Sequence, residues 1–475
     1  MRLRELLEGI EVVSLTIPPD MEITQVCADS RAVQKGSLFV AVNGTRCDGE
    51  CYVPQAMAAG AAGVVCEGES SAPCVRVRDA RSALSRLACS WYGHPAKKLT
   101  VLGVTGTNGK TTVTYLLRHI LRRTGLKTGL IGTVENLVEE QAFPAQRTTP
   151  DALQLQRLLA QMAEAGCTHA VMEVSSHALV QHRVDGIGFA VGIFTNLTED
   201  HLDYHGTMDS YCDAKARLFR MSRAAVCNAD DPWTERLLAG TSCRTVLYGL
   251  HAPCDLWAED IVLRDRSAAF TACTAQERAA VRLRVPGLFS VYNTLAAMAA
   301  CGALDIPLKT CAEALADFDG VKGRMEVVPT PEKPYTVLID YAHTPDALEN
   351  VLKTVRGFAK GRLIAVFGCG GDREKEKRPL MGRIAAELAD VAVVTSDNPR
   401  SEEPMAIIQD ILTGIAPTGK KSIIEPDRRA AIALTMKQAG AGDVIILCGK
   451  GHETYQEIGG RMLPMDEREI VQALL

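Results

Sequence analysis

Apolar residues in the first part of the chain fall into short runs that end at turn-forming residues. Residues 37–42 form one such run and are followed by Asn43-Gly44, and residues 63–66 form another, followed by Glu67-Gly68. Short apolar runs bounded by glycine, asparagine and charged residues are typical of β-strands. We therefore expect residues 1–97 to form a small α/β domain.

The middle of the chain alternates strand and helix patterns. The apolar run at 99–104 leads into 111–123, where apolar positions 113, 116, 117, 120 and 121 share one helical face and Gly125 follows as a cap. The runs at 170–174 and 191–195 are almost continuously apolar, as in buried parallel strands. With 94–98 as a polar linker, the pattern predicts a doubly wound α/β domain over 98–330.

Three prolines within residues 329–334 interrupt this pattern, because proline excludes regular hydrogen-bonded structure. Further apolar runs follow at 337–340, 363–367, 391–395 and 444–447, separated by helical or glycine-rich sequence. We expect a third domain over 331–475 with Rossmann-like alternation. The predicted fold class is thus α/β, with three domains.

The charge and the apolar content of the chain indicate which binding partners and which cellular compartment to expect. The 475 residues carry a formal net charge of −5 and no basic block longer than pieces such as Lys97-Lys98, so nucleic acid is not an expected partner. Residues 1–7 mix charges into an apolar run, unlike a secretory signal, and no stretch approaches the roughly 20 apolar residues of a membrane span. We expect a cytoplasmic protein without a membrane span.

The chain has 16 cysteines but no Cys-x-x-Cys pair, and the closest spacing is Cys47 to Cys51. Zinc sites and disulfide frameworks require paired spacings of a different kind. Several cysteines, such as Cys89, lie in apolar surroundings where a thiol acts as a small core residue. We interpret the cysteines as reduced and structural.

Residues 103–112, Gly-Val-Thr-Gly-Thr-Asn-Gly-Lys-Thr-Thr, join a predicted strand to a predicted helix. Backbone N–H groups at such a turn bind phosphates, a lysine neutralises the outer phosphates, and the following hydroxyl reaches Mg²⁺. The strict G-x-x-x-x-G-K-T pattern fails because Val104 stands at a glycine position. The strand-turn-helix context still predicts nucleotide binding, by Gly106, Thr107, Asn108, Gly109, Lys110, Thr111 and Thr112.

Candidate metal ligands follow the next two predicted strands. Glu173 ends the run at 170–174, and His201 lies in the polar segment 195–205 that follows the second run. Ligands bind open α/β sheets at the carboxyl ends of their strands, and carboxylates are natural ligands for Mg²⁺. Taken singly, Glu173 is equally well a polar strand end, and His201 a hydrogen-bonded structural histidine.

Further polar segments occur in the same order along the chain as in one known family. They are Ala28-Asp29-Ser30-Arg31, Thr148-Thr149-Pro150-Asp151, Glu173-Val174-Ser175-Ser176-His177, residues 196–201, 211–215, 323–326, 340–346 and 368–373, Asp397-Asn398-Pro399-Arg400 and Gly449-Lys450-Gly451-His452-Glu453. In these segments the chain resembles the Mur ligase family, the ATP-dependent enzymes that build the peptide of peptidoglycan precursors. The resemblance spans all three predicted domains.

Within the family, the pattern is similar to the ligase that adds a diamino acid to UDP-N-acetylmuramoyl-L-alanyl-D-glutamate. The resemblance implies an ADP-forming peptide synthase that adds meso-2,6-diaminopimelate through an acyl-phosphate, with ATP and Mg²⁺. It also implies a part in cell-wall biogenesis, cell shape and cell division. We expect a monomer.

The same resemblance assigns roles around the nucleotide. Thr111 and Glu173 would hold one Mg²⁺, and His201 with a carbamylated Lys215 a second. Lys110 and Arg324 would supply positive charge, and Asn293 and Asp340 would lie near the adenosine. From spacing alone, Lys215 is a solvated helix lysine.

The resemblance places the remaining substrates in the first and third domains. The UDP-sugar would lie near Ala28, Ser30, Thr45, Arg46 and Cys47, and the muramoyl-dipeptide near Thr148, Thr149, Ser175, Ser176, Gln181 and Arg183. Diaminopimelate would lie near Arg373, Asp397, Asn398, Pro399, Arg400, Gly449 and Glu453.

The planar guanidinium of Arg400 matches the second carboxylate of diaminopimelate, which lysine lacks. Arg373 would bind the carboxylate at the reacting end, and Glu453 the distal ammonium. An exposed loop arginine is the alternative interpretation of Arg400.

Lys322 stands where the family usually has proline. It lies at the hinge near 322–334, about which we expect the third domain to close.

Three other functions remain open from the sequence. An L-lysine-adding ligase would share the chemistry, and a folylpolyglutamate synthase would share the glycine loop and the lysine-metal arrangement. A folylpolyglutamate synthase would leave the segments 397–400 and 449–453 without a role. A non-catalytic nucleotide switch would need no second metal site.

Overall fold

The apolar runs near the N-terminus pair into one small sheet. In the computed structural model, which describes residues 1–44, 48–251 and 253–475, the strands lie in the order β1-β5-β4-β3-β2, with β1 antiparallel to β5 and the other pairs parallel. The elements are β1 (Val12–Leu15), β2 (Gln25–Cys27), β3 (Ser37–Val40), β4 (Gly63–Cys66), β5 (Cys74–Val77), α1 (Leu3–Leu6), α2 (Val53–Ala58) and α3 (Ala80–Trp91).

The second sheet has eleven strands, in the order β16-β15-β14-β13-β12-β11-β6-β10-β7-β8-β9. Its strands are β6 (Thr100–Thr105), β7 (Thr128–Ile131), β8 (Glu135–Val138), β9 (Gln141–Pro144), β10 (His169–Glu173), β11 (Phe189–Phe194), β12 (Ser222–Asn228), β13 (Arg244–Gly249), β14 (Leu256–Leu263), β15 (Ala268–Cys273) and β16 (Arg278–Leu283). Its helices are α4 (Lys110–Arg123), α5 (Ala152–Glu164), α6 (Ser176–Val180), α7 (Leu202–His205), α8 (Met208–Arg220), α9 (Thr234–Leu238), α10 (Leu288–Gly302) and α11 (Leu308–Leu315).

The centre of this sheet confirms the predicted doubly wound arrangement. Strands β7, β10, β6, β11, β12, β13 and β14 run parallel. The antiparallel strands β8, β9, β15 and β16 extend both edges and were not predicted. In β16, buried and exposed residues alternate, so its sequence carries no continuous apolar run of the kind that marked the central strands.

The third sheet has the order β17-β18-β22-β19-β20-β21, and all its pairs are parallel except β17 with β18. The elements are β17 (Glu326–Val328), β18 (Thr336–Asp340), β19 (Leu363–Phe367), β20 (Val391–Val394), β21 (Ser422–Ile424), β22 (Val444–Cys448), the hairpin β23 (Tyr455–Ile458) and β24 (Arg461–Pro464), α12 (Pro345–Arg356), α13 (Lys377–Leu388), α14 (Pro404–Ile415), α15 (Arg428–Gln438) and α16 (Glu467–Ala473). The predicted division after residue 330 falls between β17 and β18, so a boundary before residue 326 keeps this sheet whole.

Two local expectations have different outcomes. Helix α4 ends as predicted, with Gly125 in the left-handed region at φ +84° directly after the capping residue Thr124. The polar linker at 94–98 was a wrong interpretation, because Pro95–Lys98 is a short 3₁₀ helix with Pro95 and Ala96 buried.

No helix in the described ranges is long and apolar enough to cross a membrane.

Parallel pairing brings three strand ends to one edge of the central sheet. Glu173 at the end of β10 lies beside Val104 of β6, and Phe194 at the end of β11 lies beside Thr105. Loops that follow these strands therefore meet above the sheet, where ligands bind in open α/β folds.

A buried ion pair joins the first residues of the last two helices. Arg428 Nε donates to Glu467 Oε1 at 2.8 Å, and the side chains of both residues are 0% exposed. Arg428 also donates to the Ser396 and Cys448 carbonyls. The guanidinium thus compensates the buried carboxylate and ties α15 and α16 to the sheet.

We expect Arg428→Met to lower the free energy of unfolding of the third domain by about 3–5 kcal/mol, because Glu467 would be left buried without its cation. Equilibrium urea unfolding followed by circular dichroism measures this effect. Arg429→Met, on the exposed neighbouring residue, is the matched control. Equal unfolding midpoints for the two variants would contradict the assignment.

Candidate active site

The glycine loop between β6 and α4 is held in a conformation that requires its glycines. Gly106 has φ +146°, and a Cβ there would collide with Thr195 Oγ1. Gly109 has φ +86° at the N-cap of α4. The N-terminus of this helix presents free N–H groups and a positive dipole end, which is the standard environment for a phosphate.

Neighbouring side chains hold the loop from outside. Asn108 N donates to Asn196 Oδ1 at 2.9 Å, and Thr195 Oγ1 donates to the Asn108 carbonyl at 2.6 Å. Asn293 is buried with its Oδ1 against the position that a Cβ on Gly109 would occupy. Asn293 therefore packs against the glycine loop.

Two lysines donate to the same carbonyl oxygen of the loop. Lys110 Nζ and Lys215 Nζ each lie 2.9 Å from Gly106 O, and Lys110 Nζ also lies 2.7 Å from Thr107 O. Burial lowers the pKa of Lys110. The loop thus brings two lysine side chains to the position where phosphates are expected.

Lys215 projects from α8 and is 1% exposed, so the interpretation from spacing alone, a solvated lysine, is wrong. Its Nζ lies 4.2 Å from the centre of the Tyr211 ring. Burial, and secondarily the charge of Lys110, lower the pKa of Lys215 well below its ordinary value. The neutral amine is favoured at this position.

His201 also lies near Tyr211. Its ring centre is 6.3 Å from that of Tyr211 and 4.9 Å from that of His177. His201 has φ +56°, and its Nδ1 lies 3.4 Å from Asp200 Oδ1. Partial burial lowers the pKa of His201, which favours the neutral imidazole that binds metals.

Glu173 is buried at the end of β10 and accepts three hydrogen bonds. Thr111 Oγ1 and Thr133 Oγ1 donate to its Oε2 at 3.1 and 3.0 Å, and Thr133 N donates to its Oε1 at 2.8 Å. The carboxylate and the Thr111 hydroxyl therefore lie together at the N-terminus of α4, as predicted. Oxygen donors of this type suit Mg²⁺. Thr133 was not identified from the sequence, where it carries no motif.

The third domain reaches the glycine loop through two contacts. Arg324 Nη2 lies 3.5 Å from Thr111 Oγ1, and its guanidinium lies 4.7 Å from the centre of the Tyr341 ring. Asp346 Oδ2 accepts from Asn108 Nδ2 at 3.2 Å and from Thr198 Oγ1 at 2.9 Å. Asp346 was quoted within the segment 340–346 but had no predicted role.

Asp340 holds the turn that carries Arg324. Its two carboxylate oxygens accept from Met325 N at 2.8 Å and from Ala342 N at 2.9 Å. Burial raises the pKa of Asp340, and the charge of Arg324 opposes that rise. Asp340 is therefore part of the joint between the second and third domains.

Most of the residues predicted to bind the muramoyl-dipeptide form one hydrogen-bonded group beside Glu173. Thr149 Oγ1 donates to the Glu173 carbonyl at 2.9 Å, and Arg183 donates to Thr149 O at 2.9 Å and to Gln181 Oε1 at 2.6 Å. Thr149 also pairs with Ser175, and Thr148 joins the group through Thr133, while Ser176 makes a separate hydrogen bond with His205.

Residues predicted for the UDP-sugar lie in the small first sheet. Ala28 is exposed, and Ser30 Oγ donates to Gln55 Oε1 at 3.1 Å. Thr45, Arg46 and Cys47 lie outside the described residues.

The segment 397–400 and the segment 449–453 lie side by side in the third domain. Asn398 Nδ2 donates to Glu453 Oε2 at 2.9 Å, and Asp397 Oδ2 lies against the position that a Cβ on Gly449 would occupy. The Pro399 carbonyl packs against Gly371 in the same way. Arg373 is on the exposed surface of this region.

Arg400 is partly enclosed rather than an exposed loop residue, so the alternative interpretation is wrong. Its side chain is 23% exposed, its Nη1 donates to the Gly371 carbonyl at 2.7 Å, and its Nε lies 3.3 Å from Glu457 Oε2. Its backbone is in the left-handed region at φ +53°. These contacts hold the guanidinium in one orientation.

The chain matches three family descriptions that together cover most of its length. Residues 22–92 match "Mur ligase family, catalytic domain", residues 104–301 match "Mur ligase middle domain", and residues 323–451 match "Mur ligase, glutamate ligase domain".

Individual proteins are similar over the whole chain. The UDP-N-acetylmuramoyl-L-alanyl-D-glutamate–2,6-diaminopimelate ligase of Gloeobacter violaceus is 49% identical over 99% of this chain and 97% of its own length. A solved structure of a ligase with the same name is 34% identical, covering 100% of this chain and 98% of its own, with a TM-score of 0.72. The MurF ligase from Thermotoga maritima in complex with ADP is 20% identical, covers 95% of this chain and 96% of its own, and shares the fold with a TM-score of 0.64.

We expect Lys110→Ala to lower the turnover of ATP at least ~10²-fold, because the phosphates would lose their principal cation at the glycine loop. Phosphate release from ATP in the presence of all substrates measures this. Lys98→Ala, on an exposed lysine just before β6, is the matched control. Near-normal phosphate release by Lys110→Ala would show that the loop does not serve ATP.

Proposed function

Because the chain belongs to the Mur ligase family, we propose that it joins meso-2,6-diaminopimelate to the free D-glutamyl carboxylate of UDP-N-acetylmuramoyl-L-alanyl-D-glutamate, with hydrolysis of ATP to ADP. The observation that carries the proposal is the Lys110 ammonium held at the glycine loop by Gly106 O and Thr107 O, beside the Glu173–Thr111 pair. A reaction between a carboxylate and a triphosphate brings anions together and requires such a cationic site.

The proposed reaction has two steps. A glutamyl carboxylate oxygen attacks the γ-phosphorus of ATP, and the bond to the leaving ADP oxygen breaks, which gives an acyl-phosphate. The neutral amine of diaminopimelate then attacks the acyl carbon, and the tetrahedral intermediate expels phosphate as the nitrogen loses a proton. Lys110 and Arg324 stabilise the phosphoryl charge in the first step.

Thr111 and Glu173 are the residues that would hold Mg²⁺, and their oxygen donors fit this ion. A bound Mg²⁺ would neutralise phosphate charge at this position. No group of three or more histidine, cysteine or acidic side chains suited to a metal occurs within the described ranges.

Lys215 is proposed to carry a carbamate that holds a second Mg²⁺ together with His201. The lone pair of the neutral amine attacks the carbon of CO₂, a C–N bond forms, one C=O electron pair moves to oxygen, and the nitrogen loses a proton to water. The burial of Lys215 supports this proposal, because the ammonium form would not react.

The remaining substrates are assigned to the groups of residues described above. The muramoyl-dipeptide would contact the Thr149–Arg183 group, and the UDP end would lie by Ala28 and Ser30. Asn293 and Asp340 would flank ATP. We also propose that the chain acts as a cytoplasmic monomer.

The alternatives differ in what the third domain must recognise. Arg400 offers a fixed fork for the second carboxylate of diaminopimelate and would face the lone ε-ammonium of L-lysine with a like charge. The 49% identity to a named diaminopimelate ligase across 99% of this chain also favours the main proposal over a folylpolyglutamate synthase. Phosphate release with the UDP-muramoyl-dipeptide and each candidate amino acid, or folate and glutamate, tests the assignment.

We expect Lys215→Ala to lose most activity and to regain part of it with added bicarbonate or a short carboxylate, which would replace the missing oxygens. A carbamate ¹³C signal should appear when the unmodified enzyme is equilibrated with ¹³CO₂, and should be absent from Lys215→Ala. An active enzyme without that signal, and with activity unchanged after CO₂ removal, would refute the carbamate.

We expect the unmodified enzyme to prefer meso-diaminopimelate strongly over L-lysine, and Arg400→Ala to lose about 2–5 kcal/mol of transition-state stabilisation with diaminopimelate. Competition assays with both amino acids measure the preference. Arg429→Ala, on an exposed arginine elsewhere in the third domain, is the control. Equal or better use of L-lysine by the unmodified enzyme would overturn the specificity while leaving the ligase assignment intact.

A further inference from the structure

Lys450 is a buried cation next to the proposed diaminopimelate site that has no role in the reaction described above. It follows β22 and is 0% exposed. Its Nζ donates to Asn398 Oδ1 at 2.7 Å and to Glu453 Oε2 at 2.6 Å, and lies 5.1 Å from the centre of the Tyr455 ring. Because both polar contacts of the Lys450 ammonium are made to Asn398 and Glu453, this ammonium fixes the positions of the two side chains.

The contacts of Lys450 determine which way the Asn398 amide faces. Asn398 Oδ1 accepts from Lys450 Nζ and from Glu457 N, the second at 2.9 Å. The amide nitrogen must then face Glu453, where it donates to Oε2. Exchange of the amide oxygen and nitrogen would place donors against the Lys450 ammonium and the Glu457 N–H.

The same network leaves one oxygen of Glu453 for a ligand. Oε2 already accepts from Lys450 and Asn398, while Oε1 accepts no hydrogen bond within the described part of the chain. The Glu453 side chain is 15% exposed, so part of it remains accessible. A carboxylate with one occupied and one available oxygen is suited to a ligand ammonium.

Charge balance in the pocket also depends on Lys450. Arg400 and Lys450 are two of the cations, and Glu453, Glu457 and Asp397 are three of the anions, in the region where the segments 397–400 and 449–453 meet. Arg400 Nη2 makes no hydrogen bond to any residue that the structure describes. With Lys450 bound to Glu453, that donor stays available for a ligand carboxylate. A ligand end with one carboxylate and one ammonium matches these two free groups.

We propose that Lys450 is a positioning residue for amino-acid selectivity. It fixes the side chains of Glu453 and Asn398. Glu453 Oε1 then binds the distal ammonium of the diamino acid, while Arg400 binds its distal carboxylate. This inference rests on the proposed function, because it assigns a role within recognition of meso-diaminopimelate. Without Lys450, Glu453 would lack its cation, and Arg400 would become the competing partner.

The test compares Lys450→Met with Lys437→Met, a change of an exposed lysine on α15. We expect Lys450→Met to raise the KM for meso-diaminopimelate about 30-fold or more, with the KM for ATP unchanged. The ratio of kcat/KM for meso-diaminopimelate to that for L-lysine should fall by a similar factor. Lys437→Met should leave both quantities at the unmodified values.

Rescue separates positioning from a general structural effect. Ethylammonium added to Lys450→Ala should lower the KM for meso-diaminopimelate again, because a small cation can fill the vacated position. In a double-mutant cycle, Glu453→Gln should add little to the loss in Lys450→Met. An unchanged KM and unchanged ratio in Lys450→Met, or additive losses in the cycle, would overturn the inference.

A folding defect would be seen as a loss of near-ultraviolet circular dichroism with a higher KM for ATP. In that case Lys450→Arg decides, because it keeps the cation: the inference requires a selectivity ratio close to the unmodified value, and a ratio as low as that of Lys450→Met in a folded Lys450→Arg overturns it. Failure of the proposed function is distinct, because the unmodified enzyme would then not use meso-diaminopimelate at all.

Discussion

Two lysine side chains meet at one backbone oxygen, and much of the candidate site depends on that arrangement. Lys110 and Lys215 both donate to Gly106 O, one from the first turn of α4 and the other from α8. Two like charges at one acceptor are costly in a buried environment. The site reduces this cost when Lys215 is neutral and when anions occupy the loop, which is the chemistry of a ligase that uses ATP.

The remaining polar groups are held in place before any substrate arrives. Glu173 accepts three hydrogen bonds, and Asn196 and Thr195 hold the Asn108 backbone. Groups that are already oriented need little reorganisation when phosphate charge develops, and this is how polar sites contribute most to catalysis. The third domain adds its own ordered network, in which Lys450 and Asn398 orient Glu453.

The domains meet where the chemistry is proposed. Asp346 contacts Asn108 and Thr198, and Arg324 approaches Thr111 from a turn that Asp340 holds. The contacts join side chains separated by more than a hundred residues in sequence. Movement of the third domain would therefore change the surroundings of the glycine loop directly.

The sequence by itself determined the alternation of strands and helices, the glycine loop and the family, because apolar periodicity and motifs are local properties of a chain. It placed β6, α4, β10 and β11 correctly, and the rule that ligands bind at the carboxyl ends of strands directed the segment of Glu173 to the glycine loop, while the family resemblance paired Glu173 with Thr111. It did not find the antiparallel strands at the sheet edges, whose alternating residues give weaker apolar runs.

Only the tertiary structure decided which polar residues are buried and what they contact. The burial of Lys215, the enclosure of Arg400 and the partners of Thr133 and Lys450 all depend on residues distant in sequence. A lysine on a helix has the same local pattern whether its face meets water or a loop carbonyl. Its charge state, and with it the proposed chemistry, follows from desolvation, which the packing of distant segments creates.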